Sequence, residues 1–343
     1  MKNMIFKRRL PIPKELKEMY PVSQEGARAK LNNDAEIRRI ITGGSDRMLL
    51  VIGPCSADRE DAVLEYIGRL SALRDKVAEK IMVVPRIFTG KPRSAGAGYK
   101  GMLHQPDPLG ESDVLKGLIA LRRLHMRVLN ETGLSCADEL LYPEEHRFLS
   151  DLLSYVSVGA RSVEDQQHRL TASGLDIPVG MKNPLSGDLT AMLNAVGAAQ
   201  SGHTFIYRNW EVESKGNPLA HAILRGYKDR DGQHHPNCGR NNLLQLAGLY
   251  AGSGLQNPAL IVDCNHSNSG KDCFRQGVIA KDVLKSAAEN SDIKRLLKGF
   301  MIESYLEDGC QQPGGSIYGQ SITDPCLGWE KTERLILELA DLW

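Results

Sequence analysis

Short apolar runs bounded by turn residues recur along the chain, at Met48–Ile52, Ile81–Phe88, Ser135–Leu141, Tyr155–Gly159, Ile177–Met181, Thr204–Tyr207, Ala259–Val262 and Phe300–Ile302. Between most of them the apolar residues return at helical spacing, as in Val63, Tyr66, Ile67, Leu70 and Val77, or Leu115, Leu118, Ile119, Met126 and Leu129. Runs that are apolar without alternation suit strands buried on both faces, and strand–helix alternation implies parallel strands joined by right-handed crossovers. Eight such units predict an α/β fold, a closed (β/α)8 barrel of the TIM type. A doubly wound open sheet shares the same texture and is the structural competitor.

Two stretches lie outside a minimal barrel. Residues 1–46 form an N-terminal extension in which a helix is predicted around Asp34–Ile41. Residues 208–224, with Trp210, Val212, Gly216 and Leu219, read as a β-hairpin inserted after the sixth strand. The catalytic barrel then occupies 47–343, and the two additions are expected to serve subunit contacts or regulation.

Composition narrows the function classes. The 343 residues are 41% hydrophobic and 25% charged, enough for a substantial core. Lys and Arg total 43 against 42 Asp and Glu, so the basic excess of a general nucleic-acid binder is missing. Nowhere do 18 consecutive apolar residues occur, so no membrane-spanning helix is expected. The N-terminal MKNMIFKRRLPIPKEL carries cations but no apolar stretch of signal-peptide length. Seven Cys without regular spacing point to reduced thiols and a cytoplasmic protein.

The chemistry sits where the predicted strands end. Cys55 closes the first in Val51-Ile-Gly-Pro-Cys-Ser56, His266 follows the seventh in Asp263-Cys-Asn-His-Ser-Asn-Ser269, and Glu303 ends the eighth. Asp324 lies in the loop beyond it. The C-terminal strand ends are the face on which barrel enzymes carry their sites. One thiolate, one imidazole and two carboxylates suit a divalent transition metal such as Mn, Fe, Co or Zn, and not Mg or Ca. Cations form a second pattern: Arg86, Lys91 and Arg93 after strand two, Arg161 after strand four, Lys182 after strand five, and Arg225 after the insert. In a chain of net charge +1, such a cluster implies phosphorylated, anionic substrates. Gly159-Ala160-Arg161-Ser162 also runs from a strand into a helix, where free backbone N–H groups favour phosphate. By contrast His234, His235 and Cys238 fall in a polar, Gly-containing segment that reads as a loop.

These segments together carry a resemblance. IGPCS at 52–56, KPRS at 91–94, GARS at 159–162, VGMKN at 179–183, ILRG at 223–226, DCNHSNS at 263–269, IES at 302–304 and SITDPCLGWE at 321–330 are similar, in order, to the 3-deoxy-D-arabino-heptulosonate 7-phosphate (DAHP) synthases of the microbial type I alpha class. The resemblance implies a (β/α)8 barrel with an N-terminal extension and an added hairpin. It implies a transferase of the shikimate pathway, which leads to chorismate and the aromatic amino acids. The reaction would condense phosphoenolpyruvate with erythrose 4-phosphate and water and release phosphate. By the same resemblance Cys55, His266, Glu303 and Asp324 are metal ligands, and Arg86, Arg161, Lys182, Arg225 and the Ala160 backbone hold phosphoenolpyruvate. Arg93 and Ser94 hold the aldose phosphate, Lys91 lies between the substrates, and Glu139 lies near the reacting carbons, making Lys91, Glu139 and His266 the catalytic set.

The chain departs from the pattern in places. Phe88 and Gly90 stand where close relatives carry a Tyr and a Glu. An aromatic amino acid effector and a homodimer or homotetramer are implied. The chain before Pro21 and the insert are nevertheless shorter than in the feedback-inhibited members, and Asp176, His146 and Tyr207 differ from the residues expected around their effector pocket. Cys326, two residues after Asp324, could approach Cys55 and form a disulfide without metal. Two alternatives remain open: a 3-deoxy-octulosonate 8-phosphate synthase-like enzyme using arabinose 5-phosphate, against which KPRS speaks, and a phosphate-binding barrel without catalysis.

Overall fold

The computed structural model describes residues 2–93 and 98–343. Eight parallel strands follow one another around a barrel: Met48–Gly53, Ile81–Pro85, Cys136–Glu139, Leu153–Val158, Val179–Lys182, His221–Leu224, Leu260–Asp263 and Leu297–Glu303. The first strand pairs with the second through Leu49↔Met82 and with the eighth through Leu49↔Gly299. The second meets the third through the Arg86↔Ala137 bridge, which closes the ring. These strands bury both faces because each is sandwiched between the barrel interior and an outer layer of helices. Along the first strand Met48, Leu50 and Ile52 join the helix-facing core, while Leu49 and Val51 join an interior cluster with Val84, Ala137, Ile223, Ile261 and Met301.

The extension folds as two helices, Pro13–Met19 and Gln24–Ile41. The second is longer than the sequence pattern predicts. Ser23 starts it by accepting a hydrogen bond from the Gly26 N–H at 2.9 Å. Its last turn delivers Ile37, Ile40 and Ile41 into the interior cluster, so this helix plugs one mouth of the barrel. Since Met48 follows it and each strand runs away from that mouth, the plug leaves the C-terminal strand ends open for chemistry.

One strand assignment is corrected. Thr204–Tyr207 is not the sixth barrel strand but the first arm of the hairpin, paired antiparallel with Trp210–Glu213. Its residues are alternately exposed and half-buried, unlike any barrel strand. Arg208 and Asn209 both adopt positive φ, 54° and 65°, as a two-residue hairpin turn that matches strand twist requires. The sixth barrel strand is His221–Leu224, fully buried between the fifth and seventh strands. The hairpin therefore precedes the sixth strand, and residues 208–224 contain its second arm and that strand rather than an insert behind it. Among the described residues no helix is long and apolar enough to cross a membrane.

Candidate active site

Every barrel strand that ends in a predicted functional residue ends at the same rim. Cys55 lies just beyond the first strand, Arg86 just beyond the second, Glu139 closes the third, and Lys182 closes the fifth. Arg225 immediately follows the corrected sixth strand, which gives it the same position in its own unit as the others. Close backbone approach makes the rim compact: a Cβ on Gly53 would stand 2.3 Å from the Arg86 carbonyl, and one on Gly159 would stand 2.3 Å from Glu139 Oε1. Gly159 thus lets the Glu139 carboxylate lean against the end of the fourth strand.

Three of the four predicted metal donors converge. Ligand atoms of Cys55, Glu303 and Asp324 lie within 4.8 Å of one another. His266 stands beside them, its Nε2 3.9 Å from Glu303 Oε1, on a backbone held at φ 53°. A positive φ on a histidine is uncommon and fixes where the ring points. Glu303 Oε1 is buried, lies 2.8 Å from Arg86 Nη2 as an ion pair, and among the described residues accepts no well-formed hydrogen bond, so it keeps a lone pair to offer a cation. Glu303 is otherwise fastened on every side: Asn265 Nδ2 donates to Oε2, its backbone N–H donates to Gln276 Oε1 at 2.8 Å, and Gln276 Nε2 donates to its carbonyl at 2.9 Å. This donor set fits a divalent transition ion, and its sulfur argues against Mg or Ca.

The charge state of the three converging residues is set by burial and by neighbouring cations. Burial pushes the Cys55 thiol above its ordinary value, and the Glu303 charge pushes it further. A divalent ion would reverse both effects by stabilising the thiolate. Asp324 behaves differently: burial opposes its ionisation, yet Lys271, donating to Oδ1 at 2.8 Å, brings it down to about 2. Lys91 is also opposed by burial, but the Cys55 sulfur raises it and keeps the ammonium charged. Its Nζ donates to the Cys55 carbonyl and lies 3.1 Å from Cys55 Sγ. Cys326 does approach Cys55, accepting that residue's backbone N–H on its sulfur at 3.3 Å.

The cations of the rim divide into buried and exposed groups. Arg86, Lys182 and Arg225 are buried, whereas Arg161 and Arg93 are exposed and Ala160 is half-buried. Arg86 and Lys182 both approach the Phe88 ring, at 3.9 and 5.6 Å from its centroid. Arg86 Nε and Arg225 Nη1 are buried donors without a hydrogen-bond partner among the described residues. Burial lowers the Arg225 pKa against the attraction of Asp263, and the neighbouring Arg161 charge adds to the lowering. Arg93 donates from Nε to the Tyr99 carbonyl at 2.8 Å. Ser94, predicted alongside it, lies outside the described residues.

Several site residues escape the sequence reading. Asp263 holds Lys182 Nζ at 3.1 Å and lies 2.9 Å from His266 Nδ1, so it touches one of the predicted substrate cations and one of the predicted metal ligands. Its carboxyl stays ionised despite burial because His266, Lys182 and Arg86 surround it. An acidic residue closing an apolar strand was the available signal. Phe88, seen in the sequence only as a departure, is the apolar wall between two cations. Asn183 binds the Arg225 backbone N–H at 2.9 Å and Gly226 carbonyl at 2.8 Å, and nothing in residue type or spacing announces that role.

Comparison with known proteins shows the family. The model of the DAHP synthetase I family matches residues 19–337. The Tyr-sensitive phospho-2-dehydro-3-deoxyheptonate aldolase of Escherichia coli K12 is 38% identical over 339 residues, covering 96% of this chain and 92% of that protein. The Trp-sensitive one from the same organism is 36% identical, covering 96% and 94%. The phospho-2-dehydro-3-deoxyheptonate aldolase of Haemophilus influenzae is 35% identical, covering 96% and 90%. A solved structure of the aldolase of that name from Francisella tularensis SCHU S4 superposes with a TM-score of 0.91 at 30% identity, over 99% of this chain and 98% of that one.

Proposed function

The chain belongs to the DAHP synthetase I family, and on that premise we propose that its rim condenses phosphoenolpyruvate with D-erythrose 4-phosphate and water to give DAHP and inorganic phosphate. The observation that supports this reading best is the pair of buried guanidinium donors, Arg86 Nε and Arg225 Nη1, that have no hydrogen-bond partner among the described residues. Buried unpaired donors are costly, and an anionic substrate would satisfy them.

The chain's own residues then divide the work. Arg86, Arg161, Lys182, Arg225 and the Ala160 N–H hold phosphoenolpyruvate, while Arg93 and Ser94 take the aldose phosphate. Their main contribution is positioning, since two anions must be brought together against mutual repulsion. Cys55, His266, Glu303 and Asp324 would hold a divalent transition ion, which supplies Lewis-acid polarisation of the aldehyde oxygen. Lys91, kept protonated beside Cys55, delivers a proton to the oxygen left when C3 of phosphoenolpyruvate bonds to C1 of the sugar. Positive charge develops at C2, and Glu139 directs the water that adds there. The resulting hemiketal expels phosphate. His266 belongs to this set as a ligand whose ring is steered by Asp263.

The additions to the barrel suit regulation and assembly. A cavity of about 1190 Å³ opens between extension and hairpin, and Lys17, Lys30, His146, Asp176, Tyr207 and Trp210 line part of it. It lies away from the rim chemistry, and it is where an aromatic amino acid effector would sit, as the Tyr- and Trp-sensitive relatives suggest. Ile5, Phe6, Ile206 and Trp210 are exposed apolar side chains on these two additions, which suits a homodimer or homotetramer. A reduced, cytoplasmic enzyme accords with seven free cysteines.

The test is consumption of phosphoenolpyruvate by metal-stripped protein with erythrose 4-phosphate, before and after Mn²⁺, with arabinose 5-phosphate as the control sugar. Metal-dependent loss with the four-carbon sugar is the expected result. Loss only with arabinose 5-phosphate would move the activity to octulosonate synthesis, and no loss with either would leave a binding protein.

A further inference from the structure

Behind the rim, the third strand and the helix after it carry a buried acidic pair that the reaction leaves unused. Asp138 and Glu145 are 3% and 7% exposed. Asp138 immediately precedes Glu139, and Glu145 lies on the helix Pro143–Leu149 that follows. Thr89 stands between them, its hydroxyl oxygen 2.5 Å from Asp138 Oδ2 and 2.9 Å from Glu145 Oε1. A hydroxyl has one proton to donate, so it cannot satisfy two ionised carboxylates at once. The arrangement closes if one carboxyl keeps its proton: Glu145 donates to Thr89, and Thr89 donates to Asp138.

The backbone identifies Asp138 as the ionised partner. Its Oδ1 accepts the Thr89 N–H at 3.0 Å and the Glu139 N–H at 2.7 Å. Hydrogen bonds from two amides and a hydroxyl stabilise a carboxylate, whereas burial, followed by the Asp138 charge, pushes Glu145 up to about 8. The groups facing the pair are His125 from the helix Val114–Thr132, with Nε2 3.5 Å from Asp138 Oδ2, His146 and Tyr142 beside Glu145, and Cys136 and Glu139 on the third strand. Among the described residues no Lys or Arg bonds to either carboxyl.

The clamp joins two pieces of the proposed machinery. Thr89 lies two residues before Lys91, and Asp138 one residue before Glu139, so a single carboxylate holds the backbone of both segments. The two loops are already in contact, since a Cβ on Gly90 would stand 3.0 Å from Leu141. We propose that Asp138, with Thr89 and Glu145, is a positioning clamp that fixes Lys91 and Glu139 relative to each other across the bound substrates. This inference rests on the reaction assigned above. Once Glu145 loses its proton at alkaline pH, one hydroxyl faces two negative charges and the clamp loosens.

The experiment uses the Mn²⁺-loaded enzyme. Asp138→Ala is expected to lower kcat by roughly 100-fold, with metal content unchanged and KM for phosphoenolpyruvate within about threefold. Asp138→Asn keeps an oxygen for both amides and offers an N–H to Thr89, so it restores kcat to within about fivefold of the parent. The parent's kcat falls on an alkaline limb near pH 8, and Asp138→Asn and Glu145→Gln both abolish that limb. If Asp138→Ala fails to fold, the Asn and Gln variants decide the matter by the limb alone. The infrared carbonyl band of a protonated carboxyl, present in the parent at neutral pH and missing from Glu145→Gln, reads the proton without turnover. Retention of the limb in both variants, or no such band, would overturn the clamp. A parent with the band but without turnover would overturn the assigned reaction and with it the clamp's purpose.

Discussion

Arg86 and Glu303 meet as a fully buried ion pair, with Arg86 Nη2 2.8 Å from Glu303 Oε1 and each side chain 1% exposed. They reach each other from opposite neighbours of the first strand, one just past the second strand and the other at the end of the eighth. The pair joins the rim's cation cluster to the candidate metal cluster, because Arg86 also lies against Phe88 while Glu303 faces Cys55 and Asp324.

Breaking this pair from one side leaves an uncompensated charge in the core. Glu303→Gln, studied in metal-free protein, is expected to lower the unfolding free energy by about 3–5 kcal/mol. The double variant with Arg86→Met should lose less than the sum of the single changes, since the stranded charge is gone. Urea denaturation of the four proteins measures both quantities, and strict additivity would show the pair to be uncoupled.

Lys182 is held by Asp263 at 3.1 Å and has little freedom to swing elsewhere. Lys182→Met should therefore weaken phosphoenolpyruvate capture without disturbing the metal donors. A charge-assisted hydrogen bond of about 1.5–3 kcal/mol corresponds to a fall in kcat/KM of roughly 10- to 150-fold. Steady-state kinetics with metal content measured on the same samples would check it, and an unchanged kcat/KM would remove Lys182 from the substrate site.

Metal binding and proton delivery should separate by mutation. Cys55→Ala removes a donor of the converging trio, so metal retained after dialysis falls at least about tenfold. Lys91→Ala keeps the metal yet abolishes turnover, because its ammonium neighbours the site without offering a lone pair. Elemental analysis beside a phosphate-release assay distinguishes the two. The proximity of Cys326 Sγ to the Cys55 amide adds a readout: bound Mn²⁺ should slow alkylation of both thiols.

His221, inside the barrel, bonds to the Tyr155 hydroxyl at 2.8 Å and to the Leu219 carbonyl at 2.9 Å. Burial brings its pKa down to about 4 from the ordinary 6.5. Between those values the unfolded chain binds more protons than the folded one, so this residue makes stability rise with pH across the window. Acidification from 6.5 to 4 should cost on the order of 3 kcal/mol through this group. Asp58 and Glu145, raised to about 6 and about 8, act in the opposite sense over their own ranges. The informative quantity is thus the stability difference between parent and His221→Gln against pH. A difference that does not change between pH 4 and 6.5 would contradict the burial of a neutral imidazole.

Much of the site is legible along the chain because it lies at strand ends, where a short apolar run stops at a polar residue. Cys55, Arg86, Lys182 and Glu303 all announce themselves this way, whereas Glu139 comes only through the family resemblance. The sixth strand does not. His221–Leu224 is four residues long and opens on a histidine, while Thr204–Tyr207, rich in aromatic and β-branched residues, satisfies strand propensity without being buried. Propensity reports that a segment can be a strand, and only packing reports which sheet it joins.

The sequence by itself determined the barrel, the rim on which its chemistry lies and the residue types offered there, since alternation of buried strands and amphipathic helices is a local, periodic property. Only the tertiary structure decided which strand carries Arg225, which carboxylates are ionised and which keep a proton, and that Asp263, Phe88 and Asp138 serve the site. Those outcomes depend on distances between residues far apart in the chain and on how completely each group is removed from water, quantities that no linear pattern contains.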